Sequence, residues 1–304
     1  MQAIIVFLFT LLFSLTSYAD QLIIEPDMGR EPLVQAIQHA HYSIKLVMYG
    51  FTDRQLLESL LEQKAKGRTV AILLEQTPYK AEDENIKTIE TLKEHHINWQ
   101  GSIPPLKLIH QKTLLIDDQE AIVMTLNFTH SAFKNDRNFA LIIDDPKRVK
   151  EIDDTFSADW NHHAIHHTSS DVIWSPDNSR AQLMKLISQA HDTIDIYAQD
   201  LNDYRIIGSL AKAARKGVNV KIITSANLRA GKLNYLTRAG VKIHRNEQHY
   251  IHAKVFIIDQ QKAVVGSINL TSASLDDNRE LSVVTEDTNV IKQLLTVFDK
   301  DWTS

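Results

Sequence analysis

The sequence has 304 residues, of which 43% are hydrophobic and 23% charged, with a formal net charge of −5. This composition is that of a globular protein and excludes a disordered chain, and the absence of cysteine excludes disulfides, thiolate zinc sites and a cysteine nucleophile. The negative net charge argues mildly against a dedicated nucleic-acid-binding protein, although a local basic groove can lie on an acidic protein.

The first predicted element is an apolar N-terminal segment. Residues 3–15 are nearly all apolar, no charged side chain precedes Asp20, and small residues stand at Ser17 and Ala19, where a signal peptidase would cleave. The segment predicts a signal peptide over residues 1–19; it carries no Lys or Arg, and an uncleaved membrane anchor is the alternative. The apolar run is short for a bilayer span, and no later stretch could cross a membrane. We expect an exported protein, either periplasmic or secreted.

The rest of the chain repeats itself, beginning with a β-like run in each half. That run leads into an amphipathic helix that stops at a Lys-Gly pair, a helix C-terminal signal, and an apolar strand follows. These elements occupy residues 43–47, 53–66 and 69–74 in the first half and 193–197, 203–216 and 218–224 in the second. The first half then carries about eight extra residues, and the acidic run 79–85 is their predicted place, as a surface loop or a helix extension.

Further matches follow in each half: a His-x-Lys-x4-Asp motif, an Asn-x-Thr triplet, an Arg followed by Asn or Glu, and a final helix that closes on Asp-Trp. The matched pairs are 110–117 with 252–259, 127–129 with 269–271, 137–138 with 279–280, and 159–160 with 301–302. Alternating strands and helices predict an α/β fold with two pseudo-symmetric lobes, each a mixed β-sheet flanked by helices. The predicted lobes are residues 20–160 and 171–304, joined by a linker at residues 161–170.

The predicted linker contains a run of histidines at His162, His163, His166 and His167. Such a run could hold a metal, but zinc sites need a fixed geometry and supporting hydrogen bonds. We favour a solvated linker and predict no metal site.

The repeated motif carries the candidate chemistry. Its His and Lys are two residues apart, so a strand places both side chains on one face, and the apolar run behind them holds the pair rigidly. Lys is a point cation for phosphate oxygens, whereas a His that is neutral near pH 7 is a nucleophile or a proton donor. Cleavage of a phosphodiester needs both roles, which two copies across a shared cleft would supply. The catalytic candidates are His110, Lys112, Asp117, His252, Lys254 and Asp259.

Residues that follow each motif fit a phosphate site. Hydroxyl and amide groups donate to phosphate oxygens, and an acceptor on Nδ1 fixes the tautomer of a His. The predicted phosphate ligands are Thr125, Asn127, Ser267 and Asn269, and the predicted orienting residues are Asn138 and Glu280. In the structural alternative, the histidines are hydrogen-bonded strand residues and the aspartates form turns. A motif that occurs twice in corresponding places argues against that alternative.

With these motifs the sequence resembles the phospholipase D superfamily, also called the HKD family. The resemblance covers residues 21–302, and the second motif continues as G-S-x-N over residues 266–269 and N-R-E over residues 278–280, which is close to the family pattern. The first copy departs from it, with Met124 in place of the glycine and a neutral Asn in place of the glutamate.

The resemblance implies a two-lobed α/β sandwich, a covalent phosphohistidine intermediate, and no metal or other cofactor. From the order usual for two-motif relatives, it also implies that His110 attacks phosphorus and that His252 is the general acid. The departures in the first copy imply that the two histidines have different roles.

Three functions remain open. The first is a phospholipase D-type hydrolase of phospholipid headgroup esters, which is compatible with export and the acidic balance. The second is an exported non-specific endonuclease, for which the acid-free, Lys- and Arg-rich stretch 205–245 could follow a phosphate backbone; such a charge run is more often a solvated helix face. The third, a non-catalytic binding module, is disfavoured because both motifs are intact. We expect a phospholipid or nucleic-acid phosphodiester as the partner, and a monomer, since one chain holds both motifs.

Overall fold

The computed structural model describes residues 19–101, 103–225 and 229–304, so the predicted signal peptide lies outside the described residues except for Ala19. The described chain forms two α/β lobes, each built on one mixed sheet with helices packed against it, as predicted. Within these residues no helix is both long and apolar enough to cross a membrane.

The first lobe carries a sheet in which parallel and antiparallel neighbours are mixed. Its strands are β1 (Gln21–Glu25), β2 (Ser43–Met48), β3 (Thr69–Leu74), β4 (Asn98–Gln100), β5 (Thr113–Ile116), β6 (Glu120–Met124) and β7 (Asp136–Ile143). Its helices are α1 (Glu31–Gln38), α2 (Arg54–Ala65), α3 (Ile86–Glu94) and α4 (Pro146–Trp160). The strand order is β1-β7-β6-β5-β2-β3-β4, so the motif strand β5 lies in the middle of the sheet.

The second lobe repeats this plan. Its strands are β8 (Val172–Ser175), β9 (Thr193–Ala198), β10 (Asn219–Thr224), β11 (Lys242–Arg245), β12 (Tyr250–Ile251), β13 (Lys254–Ile258), β14 (Lys262–Gly266) and β15 (Glu280–Thr285). Its helices are α5 (Ser179–Gln189), α6 (Tyr204–Arg215), α7 (Ala230–Arg238), α8 (Ser272–Asp276) and α9 (Thr288–Trp302). The sheet order β11-β10-β9-β13-β14-β15-β8 again places the motif strand, β13, in the middle.

The repeated helices α2 and α6 begin and end where the sequence predicts. Asp53 and Asp203 precede them, and each carboxylate accepts a hydrogen bond from a backbone N–H of the first turn, which the helix itself cannot satisfy. Both helices stop before a glycine in the left-handed region, Gly67 with φ +85° and Gly217 with φ +100°. Local signals are therefore sufficient to set the bounds of these helices.

The hydrophobic core between the lobes fixes the two sheets against each other. It includes Phe156 of α4 and Phe298 of α9, together with Val123 of β6 and Val265 of β14. Separate clusters fill the space between each sheet and the helices on its other face. Ile109 and Ile251, which directly precede the two motif histidines, belong to this core.

Short segments cross from each lobe to the other. Strand β12 pairs in parallel with β7 of the first lobe, with Tyr250 opposite Asp136, and in the reverse direction Ile109 forms a parallel bridge with Arg279. Each crossing segment leads directly into a motif histidine. The sequence repeats do not reveal this exchange, because each half reads as a self-contained unit.

Buried ion pairs also join the lobes, and they use residues that the repeats share. Arg137 donates from Nε to Asp301 Oδ2 at 2.7 Å, and Arg279 donates from Nη2 to Asp159 Oδ1 at 2.7 Å. All four side chains are almost fully buried. The repeated Arg and the repeated Asp-Trp ending are therefore two ends of the same cross-lobe contact.

The linker is more structured than predicted. Residues 161–170 form no helix or strand, and His162 and His163 are exposed, but His167 is buried. Its Nδ1 lies 2.9 Å from Asp177 Oδ2, and its ring stacks on Trp174 at 4.7 Å between centroids. The solvated interpretation is therefore wrong for His167, which anchors the linker in the second lobe.

Candidate active site

The two motif histidines meet where the lobes exchange segments. His110 N donates to Arg279 O at 3.0 Å, and His252 N donates to Arg137 O at 3.2 Å, so the backbone of each histidine is held by the opposite lobe. The strands β5 and β13 follow within a few residues and place Lys112 and Lys254 behind the imidazoles. The duplicated sequence thus produces one composite site.

Each histidine is oriented by a residue of the other lobe. Glu280 Oε2 lies 2.8 Å from His110 Nδ1, and Asn138 Oδ1 lies 2.9 Å from His252 Nδ1. Because these oxygens accept, Nδ1 donates in both contacts and each Nε2 remains available for chemistry. The structure thus brings the predicted orienting residues, Asn138 and Glu280, to the predicted atoms.

The two lysines are buried beside the histidines. Lys254 Nζ lies 3.5 Å from His252 Nε2, and its pKa is held well below the usual value by burial and by the charge of Lys112. Burial likewise lowers the pKa of Lys112 to about 7, against the opposing effects of Glu280 and Glu84. The lowered pKa values mean that the ammonium form of each lysine lacks a compensating charge when no substrate is bound, so an anion that stabilises this form would bind favourably.

The imidazoles are neutral in the absence of substrate. Burial lowers the pKa of His110 to about 4, with Glu280 opposing and both lysines adding to the shift. The pKa of His252 lies well below its usual value, again through burial first and then through Lys254, Lys112 and His110. Since charges on the lysines act on both imidazoles, a phosphate charge bound here would interact with all four groups.

The predicted phosphate ligands Thr125 and Ser267 make hydrogen bonds to residues of the neighbouring strands. Thr125 Oγ1 donates to Asn138 Oδ1 at 2.8 Å and accepts from Phe139 N at 2.9 Å. Ser267 Oγ donates to the backbone oxygen of Leu281 at 3.3 Å and accepts from its N–H at 3.1 Å. Both hydroxyls are fully buried and engaged within the fold, and their contact with phosphate stays a prediction.

The two asparagines of the Asn-x-Thr triplets remain available. Asn127 Oδ1 and Asn269 Oδ1 are buried and have no hydrogen-bond partner among the described residues. Asn127 lines a cavity of about 260 Å³ whose wall includes His252 and Tyr250. Contact of these two side chains with phosphate therefore stays a prediction.

The motif aspartates do not reach the paired histidines. Asp117 accepts hydrogen bonds from the backbone N–H groups of residues 41–43 at 2.7–2.8 Å, and Asp259 accepts from those of residues 191–193. Five residues of extended chain, roughly 16 Å, separate each aspartate from the motif lysine. The assignment of Asp117 and Asp259 to catalysis is corrected. Each carboxylate links the turn after its motif strand to the segment that leads into β2 or β9.

Several residues around the site were missed from the sequence. Ser274 Oγ donates to Glu280 Oε1, which fixes the carboxylate that holds His110. Tyr49 packs edge-on against His110 with 4.7 Å between ring centroids, and its ring lies 5.2 Å from Lys112 Nζ. Ser274 follows the second Asn-x-Thr triplet and is matched by Ala132 in the first half, a difference that the repeat alignment contains.

An acidic wall flanks His252. Glu84 and Asp136 line the same cavity as Asn127, and a Cβ added at Gly50 would lie 3.2 Å from Glu84 Oε2 and 3.3 Å from Asn127 Cγ. Burial raises the pKa of Glu84, which Lys112 partly opposes, and burial also raises the pKa of Asp136. Glu84 belongs to the predicted insertion 79–85, so the extra residues of the first half reach the site.

The described cations of the basic stretch 205–245 do not lie on a single helix or strand. Its cations are spread over α6, β10, α7 and β11, where Arg215 lies 5.1 Å from the Tyr235 ring and Lys221 lies 5.4 Å from the Trp302 ring. This arrangement supports a solvated face. In the described ranges, no three His, Asp or Glu side chains come together as metal ligands would.

Known proteins share this architecture. A family model described as "Cardiolipin synthase, PLD-like domain" matches residues 33–160 and 183–302. Cardiolipin synthase B of Escherichia coli O6:H1 is 34% identical over 122 residues, which cover 37% of this chain and 30% of that protein. Human mitochondrial cardiolipin hydrolase is 23% identical over 130 residues, which cover 41% of this chain and 52% of that protein. The chain thus spans only part of these curated relatives.

Solved structures match over almost the whole fold. Phosphatidylserine synthase of Haemophilus influenzae superposes with a TM-score of 0.71 at 12% identity, covering 93% of this chain and 85% of that chain. Polyphosphate kinase of Porphyromonas gingivalis gives 0.76 at 16% identity, covering 92% of this chain and 46% of that chain. Since the family model covers both halves of the chain, and each half contributes one His and one Lys to the composite site, this protein belongs to the PLD-like domain family of cardiolipin synthase, within the phospholipase D superfamily of phosphodiesterases.

Proposed function

We propose that the protein hydrolyses phospholipid headgroup esters through a covalent phosphohistidine. The observation that carries the proposal is the crossed pair of contacts, His110 to Glu280 and His252 to Asn138, which leaves both Nε2 atoms free at one cationic site. Opposed imidazoles supply a nucleophile and a general acid on the two sides of one phosphorus atom.

In the first step, His110 Nε2 attacks phosphorus while the bond to the leaving alcohol oxygen breaks. The ring gains positive charge as the P–N bond forms, and the Glu280 carboxylate stabilises that charge. His252 Nε2 gives its proton to the leaving oxygen. The substrate's own negative charge enables His252 to hold this proton beforehand, because a nearby anion raises the pKa of an imidazole.

In the second step, water attacks the phosphohistidine. His252, now neutral, takes a proton from the water as the new P–O bond forms and the P–N bond breaks. A phosphomonoester leaves, His110 returns to the neutral form, and His252 is again protonated. Lys112 and Lys254 neutralise the nonbridging oxygens in both steps, and Asn127 and Asn269 donate to them through their amides.

The acidic wall supports a lipid substrate with a cationic headgroup. Glu84 and Asp136 stand beside the general acid, where the leaving alcohol would lie, and Tyr250 adds an aromatic face whose ring centroid is 6.4 Å from that of His252. Carboxylates and an aromatic ring suit an aminoalcohol. The same carboxylates repel the neighbouring phosphates of a nucleic acid.

The test offers the mature protein phosphatidylcholine, phosphatidylethanolamine, phosphatidylglycerol, single-stranded DNA and RNA. We expect release of the headgroup alcohol and phosphatidic acid, fastest from the lipids with amino headgroups. Glu84→Gln should reduce the preference for choline over glycerol about fivefold, or about 1 kcal/mol, whereas Glu82→Gln in the same loop should not. Cleavage of nucleic acid alone, with a steep dependence on salt, would establish the endonuclease function instead.

We also propose that the protein is exported and acts as a monomer. Cleavage after Ala19 leaves the contacts of the first lobe intact, since Asp20 pairs with Arg148 and β1 begins at Gln21. Mass spectrometry of the protein from the periplasm and the medium should give a mature N-terminus at Asp20. A single chain contributes both halves of the site, so activity per molecule should not change with dilution.

A further inference from the structure

The two orienting groups differ at three matched positions. In the second lobe, Glu280 on β15 contacts His110, Ser274 holds Glu280, and Ser175 lies opposite Glu280 on the neighbouring strand β8. The matched residues of the first lobe are Asn138, Ala132 and Glu25. The first lobe therefore also has a carboxyl group at this place. It is carried by Glu25 on β1, whereas the second lobe carries it on β15, the strand paired with β8.

Glu25 and Asn138 are direct cross-strand partners in β1 and β7. Opposite residues of an antiparallel pair place their side chains on the same face, with Cβ atoms about 5 Å apart. Both residues are 0% exposed. The side chain of Glu25 is thus confined next to that of Asn138, in a place with no access to water.

Both side chains have unused polar atoms. Asn138 Oδ1 accepts from Thr125 and faces His252 Nδ1, so its amide nitrogen points elsewhere. Among the described residues, Asn138 Nδ2 has no acceptor. The Glu25 carboxyl group is near the backbone N–H of Gly29, which acts to lower its pKa, but neither of its oxygens makes a hydrogen bond of good geometry. A buried donor and a buried acceptor on facing residues satisfy each other after a small rotation of either side chain.

We propose that Glu25 is a positioning residue: it accepts a hydrogen bond from Asn138 Nδ2 and so keeps Asn138 Oδ1 on His252 Nδ1. Its effect on turnover rests on the proposed function of His252. Without this acceptor the Asn138 amide can flip, which would place an N–H against Nδ1 and select the wrong tautomer of His252.

The surroundings of Glu25 fit a neutral carboxyl group. Burial raises its pKa to about 8, and the charged groups that face it are Asp27, Arg30 and Arg137. Arg137 donates to the backbone oxygen of Glu25 and to the carboxylates of Asp27 and Asp301. The Glu25 carboxyl group accepts none of these hydrogen bonds. Near pH 7 Glu25 therefore orients Asn138 without adding negative charge beside the general acid.

The experiment compares Glu25→Gln and Glu25→Leu, with Ser175→Ala as the matched control on β8. Gln keeps an acceptor and should keep wild-type kcat, whereas Leu should lower kcat at least tenfold at unchanged KM, the usual scale for removing a residue that orients a catalytic His. Equal kcat in Glu25→Leu and wild type, or equal losses in the Gln and Leu variants, would overturn the proposal.

A readout that needs no turnover separates this proposal from the proposed function. In ¹⁵N NMR spectra, Glu25→Leu should shift the Asn138 side-chain amide and the His252 ring nitrogens, and Ser175→Ala should leave both in place. If wild type cleaves no phosphodiester but these shifts appear, the contact stands and the function fails. If the Glu25→Leu variant does not fold, Glu25→Met serves as the second apolar variant. Unchanged Asn138 and His252 signals in that variant would contradict the proposed contact.

Discussion

His110 and His252 occupy matched positions of two matched lobes, yet their surroundings differ in charge. His110 meets the Glu280 carboxylate and the edge of the Tyr49 ring, while His252 meets a neutral amide, Asn138, and lies 3.3 Å from Lys254 Nζ through Nδ1. The backbone contacts that hold the two histidines are the same. The two lobes thus share the backbone geometry of the site and differ in the side chains that meet each imidazole.

The difference in partners favours a division of labour. A carboxylate on Nδ1 stabilises a ring that gains positive charge, as the nucleophile does when it is phosphorylated. A neutral amide leaves the other ring a stronger acid, which gives up its proton readily once the substrate has supplied the charge to bind it. The comparison therefore supports His110 as nucleophile and His252 as general acid.

The largest expected effect comes from removing either imidazole. His110→Ala should lower kcat on a lipid ester by about 10⁴-fold or more, and His252→Ala by about 10²- to 10⁴-fold. The leaving group of a p-nitrophenyl phosphodiester needs no proton. With this substrate, His252→Ala should form the phosphohistidine at close to the wild-type rate, whereas His110→Ala should not form it.

The P–N bond of phosphohistidine breaks in acid, so trapping should use an alkaline quench followed by mass spectrometry. We expect the phosphoryl group on His110, with His252→Ala as the variant in which it accumulates. Label on His252, or rescue of His110→Ala by the better leaving group, would reverse the two roles.

Breaking a cross-lobe ion pair should give the next largest effect, and the loss of stability should be similar for the two pairs. Arg279→Met leaves Asp159 buried without its partner, and Arg137→Met does the same to Asp301, at an expected cost of about 3–5 kcal/mol of unfolding free energy each. Denaturant melts measure this loss. Adding Asp159→Asn to Arg279→Met should recover part of the lost unfolding free energy. If the loss in the double variant equals the sum of the two single losses, the pair is not coupled.

Exchanging the orienting groups should move the pH profile in opposite directions. Glu280→Gln removes a carboxylate that raises the pKa of His110, so the acidic limb should shift to lower pH while kcat falls about 10²-fold. Asn138→Asp adds a carboxylate beside His252 and raises its pKa, so the alkaline limb should shift to higher pH. Ser175→Ala, on the strand next to Glu280, is the control; identical shifts in both variants would contradict the division of labour.

The repeats were sufficient to predict the lobes, the two histidines and their orienting residues. The repeated motif lies on a central strand in each sheet, and Asn138 and Glu280 stand at the start of the strands that receive the crossing segments. The crossing itself could not be predicted, because it is a tertiary contact between residues such as Ile109 and Arg279, far apart in sequence. It also decides that Glu280 serves His110 and Asn138 serves His252.

Packing explains what residue type alone does not predict about the site. Thr125 and Ser267 have side chains that suit phosphate, but they lie just past the ends of β6 and β14, where a neighbouring backbone group or amide already binds the hydroxyl. Glu84 escaped notice for the opposite reason, since only folding brings the inserted loop against Gly50 and Asn127. Residue type predicts what a side chain can do, and packing decides which partner it meets.

The smallest expected effect tests the corrected aspartates, on which the two lobes should again agree. Asp117 and Asp259 have φ angles of +54° and +50°, which Asn tolerates, so Asp→Asn removes the charge without backbone strain. Burial acts to raise the pKa of both carboxyls, but the backbone N–H groups outweigh it and the pKa of each is lowered from 3.8. Each variant should lose about 1 kcal/mol of stability at neutral pH, with kcat unchanged.

The sign of the pH dependence follows from that depressed pKa. The carboxylate contributes its full stability above the unfolded value of 3.8, and the contribution disappears as pH falls through the lower folded value. Urea melts of wild type and Asp117→Asn should therefore differ at pH 7 and converge at the acidic end. An aspartate that only stabilises a turn, roughly 16 Å from its motif lysine, cannot act on phosphorus directly. A fall in kcat of tenfold or more in Asp117→Asn or Asp259→Asn, with unchanged melts, would therefore contradict the structural role and support a catalytic one.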